Sequence, residues 1–115
     1  MRGISRWPGR RELRRHLHKR YCDALLRQCP GVTLQERPLD GIYTILQLLL
    51  PAGVSRIDVA GALAKEGIET RAWYLPLIPE HPAYAGLAPA VLPVASSLGP
   101  RMLGLPFHLQ LSDED

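Results

Sequence analysis

Four residues in one short stretch of the chain have side chains suited to binding a polar ligand. From residue 67 to residue 84 the sequence reads GIETRAWYLPLIPEHPAY. An arginine there can bind an anion, an aromatic ring can stack on a sugar or a base, and a histidine can hydrogen-bond to a phosphate or a hydroxyl. The candidate substrate-binding residues are therefore Arg71, Trp73, Tyr74 and His81.

The same residues also have ordinary structural interpretations. Side chains alternate along a strand, so Trp73 and its neighbour Tyr74 would lie on opposite faces, one packed against helices and the other half exposed. Arg71 would share a strand face with Glu69, where a surface ion pair is as reasonable as an anion site. His81 lies among prolines and could be a simple surface residue.

The sequence contains no recognised catalytic motif. There is no G-x-G-x-x-G, no P-loop and no nucleophile elbow. Lys19 and Lys65 fall on predicted exposed helix faces, whereas a Schiff-base lysine needs an apolar pocket or a cationic neighbour. His16 and His18 point to different faces of one predicted helix, and no Cys/His spacing resembles a zinc site. We therefore expect no catalytic, cofactor-binding or metal-binding residue in this chain.

Positive charge is concentrated in the first thirty residues. They carry a net charge of +7, whereas the rest of the chain carries −4 and the whole chain +3. The Arg-rich segment 10–28 could contact nucleic acid through its phosphates, or another acidic partner, or it could be a solvated helix face. No aromatic stacking platform or recognition-helix motif accompanies the charge. A basic binding module is therefore the alternative function, and nucleic acid is not the favoured partner.

The cysteines and the apolar runs indicate a cytoplasmic protein. Cys22 and Cys29 would lie about 10 Å apart along one helix, which is too far for a disulfide, so both are expected to be reduced thiols. No apolar segment of signal-peptide type follows the N-terminal charges. The longest apolar run, residues 45–50, is far too short to span a bilayer, so no membrane contact is predicted.

Hydrophobic periodicity predicts three helices after an irregular arm at residues 1–9. The first helix would span 10–28 and end at Pro30-Gly31. The second would begin at an N-cap, Ser55, and end where Gly67 takes a left-handed conformation. The third would run from residue 92 to about residue 103. The predicted buried stripes consist of Leu13, Leu17, Tyr21, Ala24 and Leu25 in the first helix and of Ile57, Ala60, Leu63 and Ala64 in the second.

Strands are predicted at 32–35, 42–50 and 69–75, and an extended piece at 107–111. The turn signal Asp40-Gly41 makes the first two strands antiparallel, whereas the third follows a crossover helix as in a βαβ unit. The fold class is therefore α/β, an α+β sandwich in which a small, mixed, largely antiparallel sheet of about three strands has helices mainly on one face. Residues 10–115 would form one domain, truncated at a helix start where Ser112 precedes three acids.

Several short motifs follow one another in a fixed order from residue 67 onward. They are Gly67-Ile68-Glu69-Thr70-Arg71, Trp73-Tyr74, Pro76-Leu77, Pro82-Ala83-Tyr84, Leu92-Pro93-Val94-Ala95, Arg101-Met102-Leu103, Leu105-Pro106 and Leu111-Ser112-Asp113-Glu114. Their order and spacing resemble the C-terminal (small) domain of the DegT-type sugar aminotransferases, fold type I enzymes that use pyridoxal phosphate (PLP). The helix from Arg11 to Leu25, with Tyr21, resembles the family's helix between its two domains, so the resemblance covers about residues 10–115.

The resemblance implies an aminotransferase that acts on a nucleotide-linked keto-sugar, with glutamate as the usual amino donor. In that family the large domain supplies the Schiff-base lysine, the acid that pairs with the pyridine nitrogen and most phosphate contacts, and none of these has a counterpart here. We therefore expect PLP in the intact family enzyme, no cofactor on this chain alone, and no transamination by it.

The resemblance also implies where substrate and partners would meet the chain. Strand 69–75 and its exit loop would line the substrate mouth, with Ile78 at the position where the family commonly has a histidine and with His81 close by. The expected partners are a nucleotide-sugar substrate and either a separate large-domain chain or a second copy in a homodimer.

Overall fold

Three α-helices and three short strands form the regular structure of the residues described in this computed structural model, namely 5–36, 41, 43–73, 75–88, 90–112 and 114. The helices are α1 (Trp7–Gln28), α2 (Arg56–Lys65) and α3 (Pro93–Leu98). The strands are β1 (Thr33–Leu34), β2 (Leu46–Leu49) and β3 (Met102–Leu105). Short 3₁₀ turns occur at Ile78–Glu80, Pro82–Tyr84 and Gly99–Arg101.

The strands form one sheet in the order β1-β2-β3, and both pairings are antiparallel. Leu48 lies opposite Leu103 in the register of β2 and β3, and Gln47 lies opposite Gly104. The predicted α/β class with a small three-stranded, largely antiparallel sheet is confirmed. The parallel pairing expected from a βαβ unit is wrong for the described strands, because the third strand is formed by Met102–Leu105 and not by residues 69–75.

The segment predicted as strand 69–75 meets the sheet at one residue. Arg71 and Gly104 form an isolated antiparallel bridge in which each backbone N–H donates to the other residue's carbonyl, at 2.9 and 2.8 Å. The chain then turns, because the Leu75 N–H donates to the Ala72 carbonyl at 3.0 Å. The Leu75–Pro76 peptide bond is cis. Tyr74, predicted within this strand, lies outside the described residues.

Three further segments differ from the sequence-based expectation. The third helix ends at Leu98 and not near residue 103, because Gly99-Pro100 changes the backbone to a 3₁₀ turn and Pro100 lacks an N–H. The extended piece predicted at 107–111 contains no strand, and the Leu111 N–H closes a turn onto the His108 carbonyl at 3.2 Å. The first helix begins at Trp7, with Pro8 in its first turn, and not at residue 10.

Both caps predicted for the second helix are present. The Ser55 hydroxyl accepts a hydrogen bond from the Asp58 N–H at 3.2 Å. Gly67 has a left-handed φ of 79°, and its N–H donates to the Ala64 carbonyl at 3.0 Å. The Ile68 N–H donates to the Leu63 carbonyl at 2.9 Å, which completes a Schellman motif. Short-range sequence signals thus fix where α2 begins and ends.

The core lies between the sheet and the two longer helices. Its buried centre is Leu48, Leu50 and Leu103, against which α1 packs Leu25 and α2 packs Val59, Ala60 and Leu63. Both helices therefore cover the same face of the sheet. Alternation along β2 leaves Gln47 and Leu49 only half-buried, so only one face of this strand is fully buried.

Three residues of the predicted helix stripes are exposed. Leu13 is 58% exposed, because α1 contacts the core cluster through Leu25, near its C-terminal end. Ile57 is 73% exposed and Ala64 is also exposed, because the buried stripe of α2 includes Val59 in place of these two residues.

Candidate functional site

Arg71 lies at the edge of an open cleft of about 830 Å³ between α1, the end of α2, β3 and the C-terminal residues. Its Nη2 is 2.8 Å from Oε1 of Glu69, so the surface ion pair considered from the sequence is formed. Both side chains are exposed, and an anion that binds Arg71 must compete with the Glu69 carboxylate. The cleft is lined by Tyr21, Glu66, Gly67, Ile68, Glu69, Arg71, Leu105, Pro106, His108, Leu111 and Glu114.

Trp73 is half-buried on the face of the sheet opposite the helices. A Cβ on Gly104 would lie 2.7 Å from Cδ1 and 3.1 Å from Nε1 of the Trp73 ring, so the indole covers the glycine. Gln47, opposite Gly104 in the register, donates from Nε2 to the Trp73 carbonyl at 3.3 Å. The sheet therefore fixes both the ring and the backbone of Trp73.

His81 is exposed and caps the turn that follows it. Its Nδ1 accepts a hydrogen bond from the Ala83 N–H at 3.2 Å, at the start of the 3₁₀ turn Pro82–Tyr84. A neutral histidine whose Nδ1 accepts carries its proton on Nε2. His81 can therefore donate a hydrogen bond to a ligand oxygen through Nε2 while its ring is held in place by the turn.

The structure separates the predicted site residues more than the sequence suggested. Arg71 lines the 830 Å³ cleft, whereas Trp73 and His81 do not, because the chain leaves the sheet after the Arg71 bridge and turns at residues 72–75. The fourth candidate, Tyr74, lies outside the described residues. The arrangement is thus an arginine at a cleft, an indole on the sheet and a histidine on the exit loop, not one closed pocket.

Sequence reasoning missed the two residues that position Trp73. In the sequence, Gln47 lies within the apolar run 45–50, and Gly104 directly follows the helix predicted to end near residue 103. A glycine between apolar residues, as in Leu103-Gly104-Leu105, does indicate a close approach of another segment to a strand. That signal could have identified Gly104, although it does not identify Trp73 as the neighbour.

The described residues do not form a site for PLP, the cofactor implied by the family resemblance. Such a site requires an amine that is desolvated or lies beside another cation. Lys19 is exposed, and its ammonium group pairs with the Asp23 carboxylate. Lys65 is exposed in the last turn of α2. Within the described part of the chain, no group of three or more His, Cys, Asp or Glu side chains could hold a metal ion.

Several basic groups of α1 are engaged within the chain. Arg14 donates from Nη1 to the Tyr43 carbonyl at 3.3 Å, and Arg15 pairs with Glu12 at 3.4 Å. Contact with nucleic acid or another acidic partner through this helix stays a prediction. None of the described helices is both long enough and apolar enough to cross a lipid bilayer.

Comparison with known proteins places the chain within a larger architecture. The dTDP-4-amino-4,6-dideoxy-D-glucose transaminase of Escherichia coli is 32% identical to this chain over 97 residues. The aligned residues cover 78% of this chain and 26% of that protein. A Bacillus cereus ATCC 10987 protein described as a PLP-dependent aminotransferase superposes with a TM-score of 0.87 at 20% identity, covering 96% of this chain and 31% of its own, and shows the fold alone. DesI, solved in the presence of its TDP-sugar product, superposes with a TM-score of 0.83 at 27% identity, covering 97% of this chain and 30% of its own.

The chain spans about a quarter to a third of the length of these proteins. The predicted resemblance is confirmed, and so is PLP as the cofactor of intact family enzymes. The family model for the DegT/DnrJ/EryC1/StrS aminotransferases matches residues 3–115. The chain belongs to this aminotransferase family.

Proposed function

We propose that this chain is the C-terminal domain of a PLP-dependent aminotransferase that acts on a nucleotide-linked keto-sugar. The observation that carries the proposal is the family match over residues 3–115. The same chain covers only 30% of DesI, as expected for one domain of a larger enzyme. The names of two similar proteins support the substrate class, since one is a dTDP-amino-sugar transaminase and the other was solved with a TDP-sugar product.

The proposal includes inactivity of the 115-residue chain by itself. PLP supplies the amino-transfer chemistry in these enzymes and needs a protein lysine to hold it as an imine. Both lysines of the chain are exposed on helices, and Lys19 is paired with Asp23. The lysine of the active site would therefore belong to a large domain, either in a longer product or in a separate chain.

Cofactor retention by the purified chain tests the inactivity. The chain is incubated with PLP, reduced with borohydride and digested, and the pyridoxyl-lysine content is measured by mass spectrometry beside a full-length relative. We expect a single stoichiometric lysine adduct in the relative and only partial, non-saturating labelling of Lys19 and Lys65 here. A stoichiometric adduct at one of these lysines, together with amino transfer from glutamate, would refute the proposal.

We further propose that Arg71, Trp73, Tyr74 and His81 contribute to one wall of the substrate site. Arg71 and His81 are exposed donors at the two ends of the segment, and Trp73 is held between them by Gln47 and Gly104. Arg71 would bind a phosphate in exchange for Glu69, the indole of Trp73 or the ring of Tyr74 would stack on a base or sugar, and His81 would donate to a phosphate or hydroxyl.

Titration with dTDP, followed by ¹⁵N NMR, tests the substrate wall. We expect shifts at the Trp73 indole N–H and at residues near Arg71, with weak affinity on the order of millimolar because one wall makes few contacts. Arg71→Ala should weaken these shifts, whereas Arg10→Ala, a change at an exposed arginine of α1, should not. Shifts confined to α1 would instead favour a basic binding helix.

A large-domain polypeptide is the proposed partner, and the cytoplasm is the proposed location. Exposed apolar side chains between α2 and β3 could pack on another domain, among them Ile78 at 74% and Val91 at 88% exposure. Cys22 and Cys29 form no disulfide, as suits a reducing compartment. Co-expression with the large domain of a relative should give a co-purifying complex, and cell fractionation should place the protein with cytoplasmic markers.

A further inference from the structure

We propose that the N-terminal half of α1 binds single-stranded nucleic acid, through its phosphates and bases and without sequence specificity. The surface consists of Trp7, Arg10, Arg11 and Arg14, which we call the arginine face. Their spacing of three or four residues along the helix places these side chains on one side of it. An indole beside several guanidinium groups suits a ligand that carries both flat rings and phosphates. None of the four residues lines the cleft at Arg71, so this surface is separate from the proposed substrate wall.

The observed start of α1 brings the aromatic ring into this face. The sequence predicted a helix from residue 10, which left Trp7 in an irregular arm and the basic segment without a stacking platform. The helix instead begins at Trp7, three residues earlier. Trp7 is 41% exposed, and Arg10 is exposed as well. The indole therefore lies one turn before Arg10 and Arg11, where ring and cations can contact the same ligand.

The arginine face continues the side of α1 that packs on the rest of the domain. Residues seven apart lie on nearly the same side of a helix, and Arg11, His18 and Leu25 form such a series. Leu25 packs against the core and His18 stacks on Tyr43. All of residues 5–10 are exposed. This side of the helix is thus covered toward its C-terminal end and open to a ligand toward its N-terminal end.

The positive charge of this part of the helix is largely uncompensated. Residues 5–20 contain seven arginine and lysine side chains and a single acidic residue, Glu12, which pairs with Arg15 at 3.4 Å. Arg14 donates to the Tyr43 carbonyl at 3.3 Å, an acceptor that carries no net charge. Like charges one turn apart destabilise a helix, and a phosphate bound between them would remove this repulsion.

The indole favours a single strand over other polyanions. An unpaired base has a flat face that can stack on Trp7, whereas the bases of a duplex already stack on each other. An acidic peptide would satisfy the arginines but not the indole. Contacts between arginine and phosphate are independent of sequence, so we expect weak, salt-dependent binding of DNA and RNA strands alike.

Fluorescence anisotropy of a short fluorescein-labelled oligo-dT, titrated with the full 115-residue chain, tests the proposal. At low salt we expect a dissociation constant on the order of ten micromolar, and a slope of log K against log salt of about −2, as for three phosphate contacts. Oligo-U of the same length should bind with similar affinity and the corresponding duplex more weakly. No binding at low salt, or tighter binding of the duplex, would overturn the proposal.

Two arginine variants separate contact from net charge. Arg10→Gln should weaken binding about fivefold and make the salt slope shallower by about 0.7, because one phosphate contact is lost. Arg27→Gln is the matched control, since Arg27 is exposed in the last turn of α1. It lies about 25 Å along the helix axis from Arg10, well beyond the screening length of about 10 Å at 0.1 M salt, and should have little effect. Equal losses in the two variants would contradict the proposed surface.

A change at the indole separates nucleic acid from an acidic polypeptide. Trp7→Leu should weaken oligo-dT binding about tenfold, because a stacked base is lost, and should leave the binding of labelled poly-glutamate unchanged. Circular dichroism checks that the helix is retained in each variant. An unchanged oligo-dT affinity in Trp7→Leu would overturn the proposal, and tighter binding of poly-glutamate than of oligo-dT would assign the arginine face to an acidic protein instead.

Discussion

The two faces of the β2–β3 pair are stabilised in different ways. On the helix-covered face, Leu48 and Leu103 lie opposite each other and are only 5% and 1% exposed. On the opposite face, Gln47 and Gly104 are paired, and the Trp73 ring lies over the glycine. Apolar burial stabilises the first face, whereas the second depends on a missing side chain and one amide hydrogen bond. Stability thus depends mainly on one face of the sheet, whereas Trp73, one residue of the proposed substrate wall, lies on the other face.

Truncation of a core leucine on the helix-covered face should have the largest effect on stability. Leu103→Ala should lower the free energy of unfolding by about 2–5 kcal/mol, because it leaves a cavity beneath both helices. Urea denaturation followed by circular dichroism measures the change. Leu87→Ala, at a side chain that is 68% exposed, should change it by less than about 0.5 kcal/mol. Similar values for the two variants would contradict this assignment of the core.

Addition of a methyl group on the opposite face should have the next largest effect. Gly104→Ala places a Cβ 2.7 Å from Cδ1 of Trp73, so the ring must move, at a cost of about 1–3 kcal/mol. The emission spectrum of Trp73, measured in a Trp7→Phe background, should shift. Gly61→Ala, whose new Cβ meets no atom within 4 Å, is the matched control and should stabilise α2 by about 0.5–1 kcal/mol. An unchanged spectrum in Gly104→Ala would show that Trp73 does not depend on this glycine.

Substitution of the glycine that caps α2 should have a smaller effect on the free energy of unfolding. This cap leads the chain from the helix-covered face toward Arg71. Gly67→Ala forces a side chain into a left-handed conformation at a φ of 79° and should cost about 1 kcal/mol. Gly67→Asn should cost less, because asparagine adopts this conformation more readily. Thermal unfolding of both variants measures the difference. Greater stability of Gly67→Ala than of Gly67→Asn would contradict the Schellman cap.

Loss of the ion pair between Lys19 and Asp23, on the outer surface of α1, should have the smallest effect on stability. The hydrogen bond from Lys19 is the main reason why the pKa of Asp23 is lowered below its ordinary value, and the charges of Lys19 and Arg27 add to it. A carboxyl group with a lowered pKa stabilises the fold above its unfolded-state pKa, and this contribution disappears as the pH falls through the folded-state value.

An NMR titration of the Asp23 side chain measures this effect. Lys19→Met should return the pKa toward its ordinary value, whereas Lys65→Met should leave it unchanged. Because the Asp23 side chain is exposed to solvent, we expect only a slight change in the unfolding midpoint. A pKa that stays low in Lys19→Met would show that another group is responsible.

Short-range signals in the sequence predict the helix-covered face well. The strand within 42–50 follows from its apolar and β-branched residues, and the caps at Ser55 and Gly67 depend on neighbours within a few residues. The ion pair between Glu69 and Arg71 was predicted from their spacing of two residues, and it forms although the segment meets the sheet only at Arg71.

Contacts between distant segments were not predictable in the same way. The pattern around residues 99–103 suited a continuing helix, and only pairing with β2 makes Met102–Leu105 a strand. The contact of Trp73 with Gly104 joins segments about thirty residues apart, and the stack of His18 on Tyr43 joins two other distant segments. Periodicity and propensity contain no information about such partners, so the site residues could be named while their arrangement could not.

The positions of the two lysines have a practical consequence. Lys19 is on α1 and Lys65 on α2, the helices that cover one side of the sheet, and both side chains are exposed. Attachment through lysine amines to a sensor surface would therefore anchor the protein by its helical side. The side that carries the Trp73 indole would then face the flowing solution, so this part of the proposed substrate wall would be accessible to a nucleotide added to the solution.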